Sequence, residues 1–138
     1  MAEYSKPVPT PDHVTGEFWA AAMQHKLLIQ RCLDCGSRHT FPQTYCRGCL
    51  SGNMEWVEAS GRGRIYSYTV THRPPSPVFE KDIPYTLALV ELEEGVRLMS
   101  QIIGIEPDDV SVDLPVEVVF DDISPTISLP RFRPSRRS

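Results

Sequence analysis

The sequence predicts a mainly β protein made of a short N-terminal helix, a metal-held ribbon and a small five-stranded barrel. Three observations carry this. The four cysteines fall into two C-x-x-C pairs, Cys32/Cys35 and Cys46/Cys49. The 13 prolines in 138 residues break up long helices, since an interior proline costs a helix about 3 kcal/mol. From Gly61 onward, short runs of β-branched and aromatic residues alternate with turn residues, the pattern of consecutive strands.

The opening residues are polar and proline-rich and read as an arm. A helix is expected to start between Asp12 and Thr15 and to end near His25 or Lys26, where cations suit the negative end of the helix dipole. Ala20, Ala21 and Ala22 raise its propensity, and Phe18, Trp19, Ala22 and Met23 gather on one face. Two readings of that stripe stand: it packs on its own chain, or it docks a partner. Residues 1–31 make up this first segment.

Residues 32–60 form the predicted ribbon. Leu27–Arg31 leads into the first knuckle, Arg38–Phe41 returns, and Asn53–Ala59 leaves around Trp56. Two residues between paired thiolates let each knuckle clamp one edge of a tetrahedron, and four protein ligands leave a metal no open position. Gly36 and Gly48 are expected to supply tight or left-handed turns. The predicted metal is structural Zn²⁺; a single iron, as in an electron carrier, suits the same spacing. So small a ribbon depends on its metal for on the order of 10 kcal/mol of apparent folding free energy.

Residues 61–138 hold the barrel, with strands expected at Gly63–Thr71, Tyr85–Glu91, Val96–Ile105, Val116–Phe120 and Ile127–Leu129. A proline-rich loop, Arg73–Pro84, separates the first two; loops of that length are functional or disordered. Glu93-Glu94-Gly95 makes a hairpin, and Pro107-Asp108-Asp109 a turn or single helical turn. Five strands, one hairpin and a connector before the fourth suggest a Greek-key barrel of the OB type. Arg131, Arg133, Arg136 and Arg137 read as a basic tail.

Charge narrows the function classes. Without those four arginines, ten basic residues face 18 acidic ones, so the body carries −8. That disfavours a nucleic-acid partner, whose affinity comes from basic contacts. Single-strand binding through Tyr66 and Tyr68 is kept as an alternative. No apolar run approaches the roughly 20 residues of a membrane helix, and the N-terminus lacks the layout of a signal peptide. Paired thiols with none left over fit a reducing compartment, so a cytoplasmic location is expected.

From Phe18-Trp19 to Pro130-Arg131-Phe132 the chain resembles the rubredoxin-like zinc-ribbon plus OB-fold proteins known as domain of unknown function 35. The shared features begin with Gln30-Arg31-Cys32-x-x-Cys35-Gly36, Phe41-Pro42, Tyr45-Cys46-x-x-Cys49 and Trp56. They continue with Gly61-x-Gly63, Tyr66-Ser67-Tyr68-Thr69, Pro84-Tyr85, Val90-x-Leu92, Glu94-Gly95 and Pro115-Val116. The family pattern has glycine near positions 25–26 and 113, where this chain has His25-Lys26 and Asp113; those two turns are expected to differ. The resemblance implies a small subunit beside a thiolase-like enzyme (acyl-CoA thiolase, acyltransferase or side-chain aldolase), in a hetero-oligomer with two copies per enzyme dimer. It also implies that the barrel helps hold the CoA ester as a shared ligand, while the ribbon and helix dock the partner.

The residues agree with a non-catalytic role. Thiolase chemistry needs a thiolate beside a base, and all four cysteines are better assigned to metal. His13, His25, His39 and His72 lie in separate segments, and Asp108-Asp109 and Asp121-Asp122 read as solvated acidic pairs. Coenzyme A needs cations for its phosphates and an apolar groove for its pantetheine arm. Arg73, Phe79, Arg131, Phe132 and Arg133 are the candidate contacts, and Phe18, Trp19, Ala22 and Met23 the candidate docking residues.

Overall fold

Asp12 sets the entry to the helix. In the computed structural model, which describes residues 6–135, its Oδ1 accepts the backbone N–H groups of Thr15 (2.8 Å) and Val14 (2.9 Å) and the Thr15 hydroxyl (3.1 Å). Those backbone bonds, Thr15 first, hold its carboxyl below the usual carboxylate range. Helix α1 spans Gly16–Met23. Its end is not made by cations, as the sequence suggests, but by backbone geometry. His25 N–H donates to Ala22 O and Lys26 N–H to Ala21 O, both at 2.9 Å, with His25 left-handed at φ 59°. That pair of bonds closes the orphan carbonyls of the last turn.

The ribbon sheet consists of β1 (Leu28–Cys32), β2 (Arg38–His39) and β3 (Met54–Glu58), ordered β2-β1-β3 and antiparallel. The barrel follows with β4 (Arg62–Thr71), β5 (Tyr85–Leu92), β6 (Arg97–Ile102), β7 (Pro115–Asp122) and β8 (Ser128–Pro134). It closes in the order β4-β5-β6-β8-β7, with β7 returning to β4. Only β6 and β8 pair in parallel, at Ile102 and Phe132. This is the five-stranded OB-like barrel that the sequence predicts. The proline-rich loop carries a short 3₁₀ turn at Pro77–Phe79, and Pro107–Asp109 forms a second.

Strand alternation sets the core. Thr86, Ala88, Val90 and Leu92 point inward from β5, while Leu87, Leu89 and Glu91 point out. Ile65, Val90 and Phe132 are completely buried. They share one cluster with Phe18 of α1 and with Leu27, Ile29 and Ala59 of the ribbon, so helix, ribbon and barrel are built on a single interior. A bulge between Ile65 and Ser67 shifts β4 against β5, and Tyr66 and Tyr68 beside it are exposed.

The two turns expected to differ keep a glycine-like backbone. Asp113 adopts φ 71° and His25 φ 59°; aspartate tolerates that region, and Asp113 N–H reaches Ile65 O at 2.8 Å. His25 is held by stacking on Phe120 (5.3 Å, 7°) and by Asp122 at 3.0 Å. No helix among the described residues is long and apolar enough to cross a membrane.

Two glycines respond oppositely to alanine. A Cβ at Gly63 would collide with the Glu91 carbonyl, whereas at Gly16 it meets nothing. In urea titrations G63A is expected to lose about 1–3 kcal/mol. G16A should gain roughly 0.5 kcal/mol through a stiffer unfolded chain and better helix propensity.

Candidate metal centre

Both knuckles use the same local plan. Cys32 N–H donates to Ser37 O at 2.8 Å and Gly36 N–H to Cys32 O at 2.9 Å; Cys46 N–H donates to Ser51 O and Leu50 N–H to Cys46 O, both at 2.8 Å. The residue after the second cysteine is left-handed in each, Gly36 at φ 78° and Leu50 at φ 65°. Gly48 therefore does not supply the left-handed turn expected of it. Its smallness matters instead: its N–H lies 3.3 Å from Cys46 Sγ, and a Cβ would sit 3.4 Å from Ser37 Oγ.

These turns bring Cys32, Cys35, Cys46 and Cys49 together, with all four Sγ atoms within 4.8 Å of one another. The Cys32–Cys49 and Cys35–Cys46 separations are both 3.5 Å. A tetrahedral ion with bonds of about 2.3 Å places its sulfurs roughly 3.8 Å apart, so the donor set fits. The sulfurs resist joint ionisation. Hydrogen bonding with the Ser37 side chain and backbone brings the Cys35 thiol down to about 6. Cys49 goes up to about 12: the Ser51 backbone bond pulls it down, but the Cys32 side chain, burial and the other two thiols outweigh that. A divalent cation would remove this resistance.

Residues outside the C-x-x-C pairs support the site. His39 Nε2 lies 3.5 Å from Cys46 Sγ, brought there by the pairing of Gln30 with His39 across β1 and β2. Buried Gln30 clamps the loop between knuckles, accepting Gln43 N–H at 2.7 Å and donating to Gln43 O at 3.0 Å. Neither role has a signal in local spacing; each depends on strand register.

Several predicted contacts change place. Phe18 and Ala22 lie in the chain's own core, 8% and 1% exposed, which leaves them little surface for a partner; Trp19 is half-buried and packs against that core, and Met23 is half-buried. Phe132 is 0% exposed and fills the barrel, so it cannot touch CoA. Arg131 and Arg133 belong to β8 rather than a tail; Arg136 and Arg137 lie outside the described residues. Arg131 pairs with Asp121 at 3.0 Å and bonds Gln101, and Arg133 meets Glu117 at 3.4 Å. Arg73 is exposed in the proline-rich loop. Phe79 and Arg131 do meet, lining a groove of about 320 Å³ with Lys6, Tyr85, Leu87 and Leu129.

Residues 19–55 match the family model of the ChsH2 rubredoxin-like zinc ribbon domain, and residues 56–121 that of the ChsH2 C-terminal OB-fold domain. The chain is also 40% identical to a DUF35 domain-containing scaffold protein of Methanocaldococcus jannaschii, over 79% of this chain and 78% of that protein. The chain belongs to the DUF35 family.

Its similarities extend to larger assemblies. It is 41% identical to a probable enoyl-CoA hydratase alpha subunit of Thermomonospora curvata, over 94% of this chain but 40% of that subunit's length. It is 32% identical to the benzoylsuccinyl-CoA thiolase subunit BbsA of Geobacter metallireducens, over 67% of this chain and 60% of that one. Among solved structures, the Ltp2-ChsH2(DUF35) aldolase contains a chain matching 92% of this one and 98% of its own length, with a TM-score of 0.81 and 41% identity. In this DUF35 chain the four cysteines are thus those of the zinc-ribbon domain.

Metal analysis of the purified protein is expected to find one ion per chain, lost when Cys46 is changed to Ser. H39A should keep that stoichiometry but weaken affinity about 10–100-fold in chelator competition, the usual effect of removing a ligand's hydrogen-bond partner.

Proposed function

We propose that this DUF35 chain is a non-catalytic accessory subunit that docks on a thiolase-like enzyme (thiolase, acyltransferase or aldolase) and helps position its CoA ester. The observation that carries the reading is the convergence of all four cysteines on one closed site. No thiol is left to accept an acyl group, so the nucleophile belongs to the partner. Two of the proteins it resembles support the partner class, a benzoylsuccinyl-CoA thiolase subunit and the Ltp2-ChsH2(DUF35) aldolase, and the enoyl-CoA hydratase alpha subunit supports only the CoA-ester chemistry.

Zn²⁺ in this site is structural, holding the ribbon in shape in the reducing cytoplasm; two copies of the chain sit on each enzyme dimer. Docking uses the half-buried Trp19 and Met23 of α1 together with the ribbon, whose Leu33, Tyr45 and Leu50 are 58%, 61% and 77% exposed. Leu50 is telling: an apolar side chain in a left-handed turn, facing solvent, has no benefit within this chain. On the barrel, the groove holding Phe79 and Arg131 suits the apolar, amide-bearing part of a CoA ester; Arg73 and Arg133 flank that role from the loop and from β8.

Co-expression with a candidate thiolase-like partner, followed by size-exclusion chromatography and turnover assays, tests this. The complex is expected to be colourless, to hold zinc and to lose both assembly and turnover with Cys35→Ser. Assembly and turnover that survive that change would refute the accessory role, and a red protein would replace zinc with iron.

A further inference from the structure

One cleft of about 610 Å³ is lined by residues of β4, β5 and β7 and mixes Arg62 and Arg64 with Glu91, Glu93 and Asp113. Its charges offset one another; Arg62 and Glu93 pair at 2.9 Å. The next cleft, about 470 Å³, is different. It lies between the ribbon and the β5–β6 hairpin and is lined by Arg38, His39, Thr40, Phe41, Arg47 and Arg97 among others, with no carboxylate in its wall.

Three guanidinium groups around one open space are unexpected on a chain of net charge −4. Several arginines elsewhere are paired: Arg31 meets Glu55, Arg131 meets Asp121 and Arg133 meets Glu117. Among the described residues, neither Arg38 nor Arg47 forms an ion pair with a carboxylate. Arg38 reaches a backbone oxygen, that of Glu94, at 3.3 Å. Arg97 lies 3.6 Å from the centre of the Tyr66 ring, and its pairing with Glu91 is long at 3.8 Å. Arg38 and Arg47, forked donors with no carboxylate partner, match a phosphate. Phe41, 74% exposed at the rim, adds a flat apolar face of the kind on which nucleobases stack.

This cleft is joined to the apolar groove by one strand face. Arg97, Met99 and Gln101 alternate outward along β6, while Leu98 and Ile102 pack inward. Arg97 lines the cationic cleft and Gln101 lines the groove with Phe79, Leu129 and Arg131. Between them Met99, 69% exposed, sits opposite Leu89, and Gln101 opposite Leu87. Four strand residues span about 14 Å. A pantetheine arm has about as many chain atoms as four residues of extended backbone, roughly the same length.

We propose that the cleft between ribbon and barrel binds the phosphorylated adenosine end of the CoA ester through Arg38, Arg47 and Arg97. The pantetheine arm then runs along the outward face of β6 toward the Phe79–Leu129 groove. The assignment rests on the reading that this chain helps hold a CoA ester, and it fixes which end lies where.

Calorimetric titration of the zinc-loaded full chain with coenzyme A and, separately, with pantetheine tests it, metal content confirming that each variant is folded. Changing Arg38 and Arg47 together to Ala should weaken coenzyme A at least tenfold and flatten its salt dependence, leaving pantetheine unchanged. Phe79→Ala should weaken both ligands, and Arg64→Ala neither. If the double variant binds coenzyme A like the wild type, the cleft assignment is wrong while the CoA reading stands. If the wild type binds neither ligand, both fall. If Arg47→Glu leaves coenzyme A binding intact but abolishes complex formation, the cleft is a protein-docking site and the proposal is overturned.

Discussion

Four sulfurs held at one point are the constraint on which the rest depends. With Cys35 down to about 6 and Cys49 up to about 12, the cluster opposes its own full ionisation. Strand β1 carries the consequence through the molecule. Cys32 at its end is a ligand, Gln30 clamps the inter-knuckle loop, and Ile29, with Leu27 just before the strand, lies in the core shared with the barrel. One extended segment thus ties the metal to the hydrophobic interior. Ala59 N–H to Leu27 O at 2.8 Å and the Thr40 hydroxyl to Arg97 O at 2.6 Å complete the junction. The walls of the cationic cleft come from both sides of that junction, so its shape depends on the metal as much as on the barrel.

The ligands and most strands were legible because their signals are local. A C-x-x-C pair needs no register to be recognised, and period-two alternation exposed the barrel strands one by one. What escaped depended on pairing over distance. Arg131-Phe132-Arg133 read as cation, aromatic, cation in a tail. In the sheet the same triplet is plain alternation, with Phe132 inward against the core and both arginines outward beside Asp121 and Glu117. The helix stripe was left with two readings for the same reason: nothing near Phe18 indicates that the barrel, far later in sequence, supplies the surface it buries against. His39 beside Cys46 and the joint lining of one cleft by Arg38, Arg47 and Arg97 belong to the same class.

Backbone conformation proved more persistent than residue type. His25, Leu50 and Asp113 all occupy the left-handed region without being glycine. Such placements cost roughly 1–2 kcal/mol each unless something offsets them. For His25 the offset is visible in the Phe120 stack and the Asp122 contact at 3.0 Å; the nearby Ser128 side chain and His25 hold the Asp122 carboxyl below its ordinary range. For Asp113 it is a short polar side chain and a backbone bond to Ile65. Leu50 has a backbone bond, from its N–H to Cys46 O at 2.8 Å, but no side-chain contact to match, and it is 77% exposed at the tip of a knuckle.

An acidic chain is an awkward host for a polyanionic ligand, and the distribution of charge resolves the difficulty. At physiological ionic strength, exposed charges more than about 8 Å apart are largely screened. The carboxylates spread over the barrel therefore weigh less on a bound phosphate than the guanidiniums directly around it. A carboxylate-free basin can be locally attractive while net charge still disfavours indiscriminate binding to nucleic acid. The same arrangement explains why the paired arginines matter less for recognition. Arg131 and Arg133 are already occupied by Asp121 and Glu117, and a phosphate would have to displace those partners first. Arg38 and Arg47 present no such obstacle, so the proposed selectivity for a phosphorylated ligand would reside at the junction of ribbon and barrel.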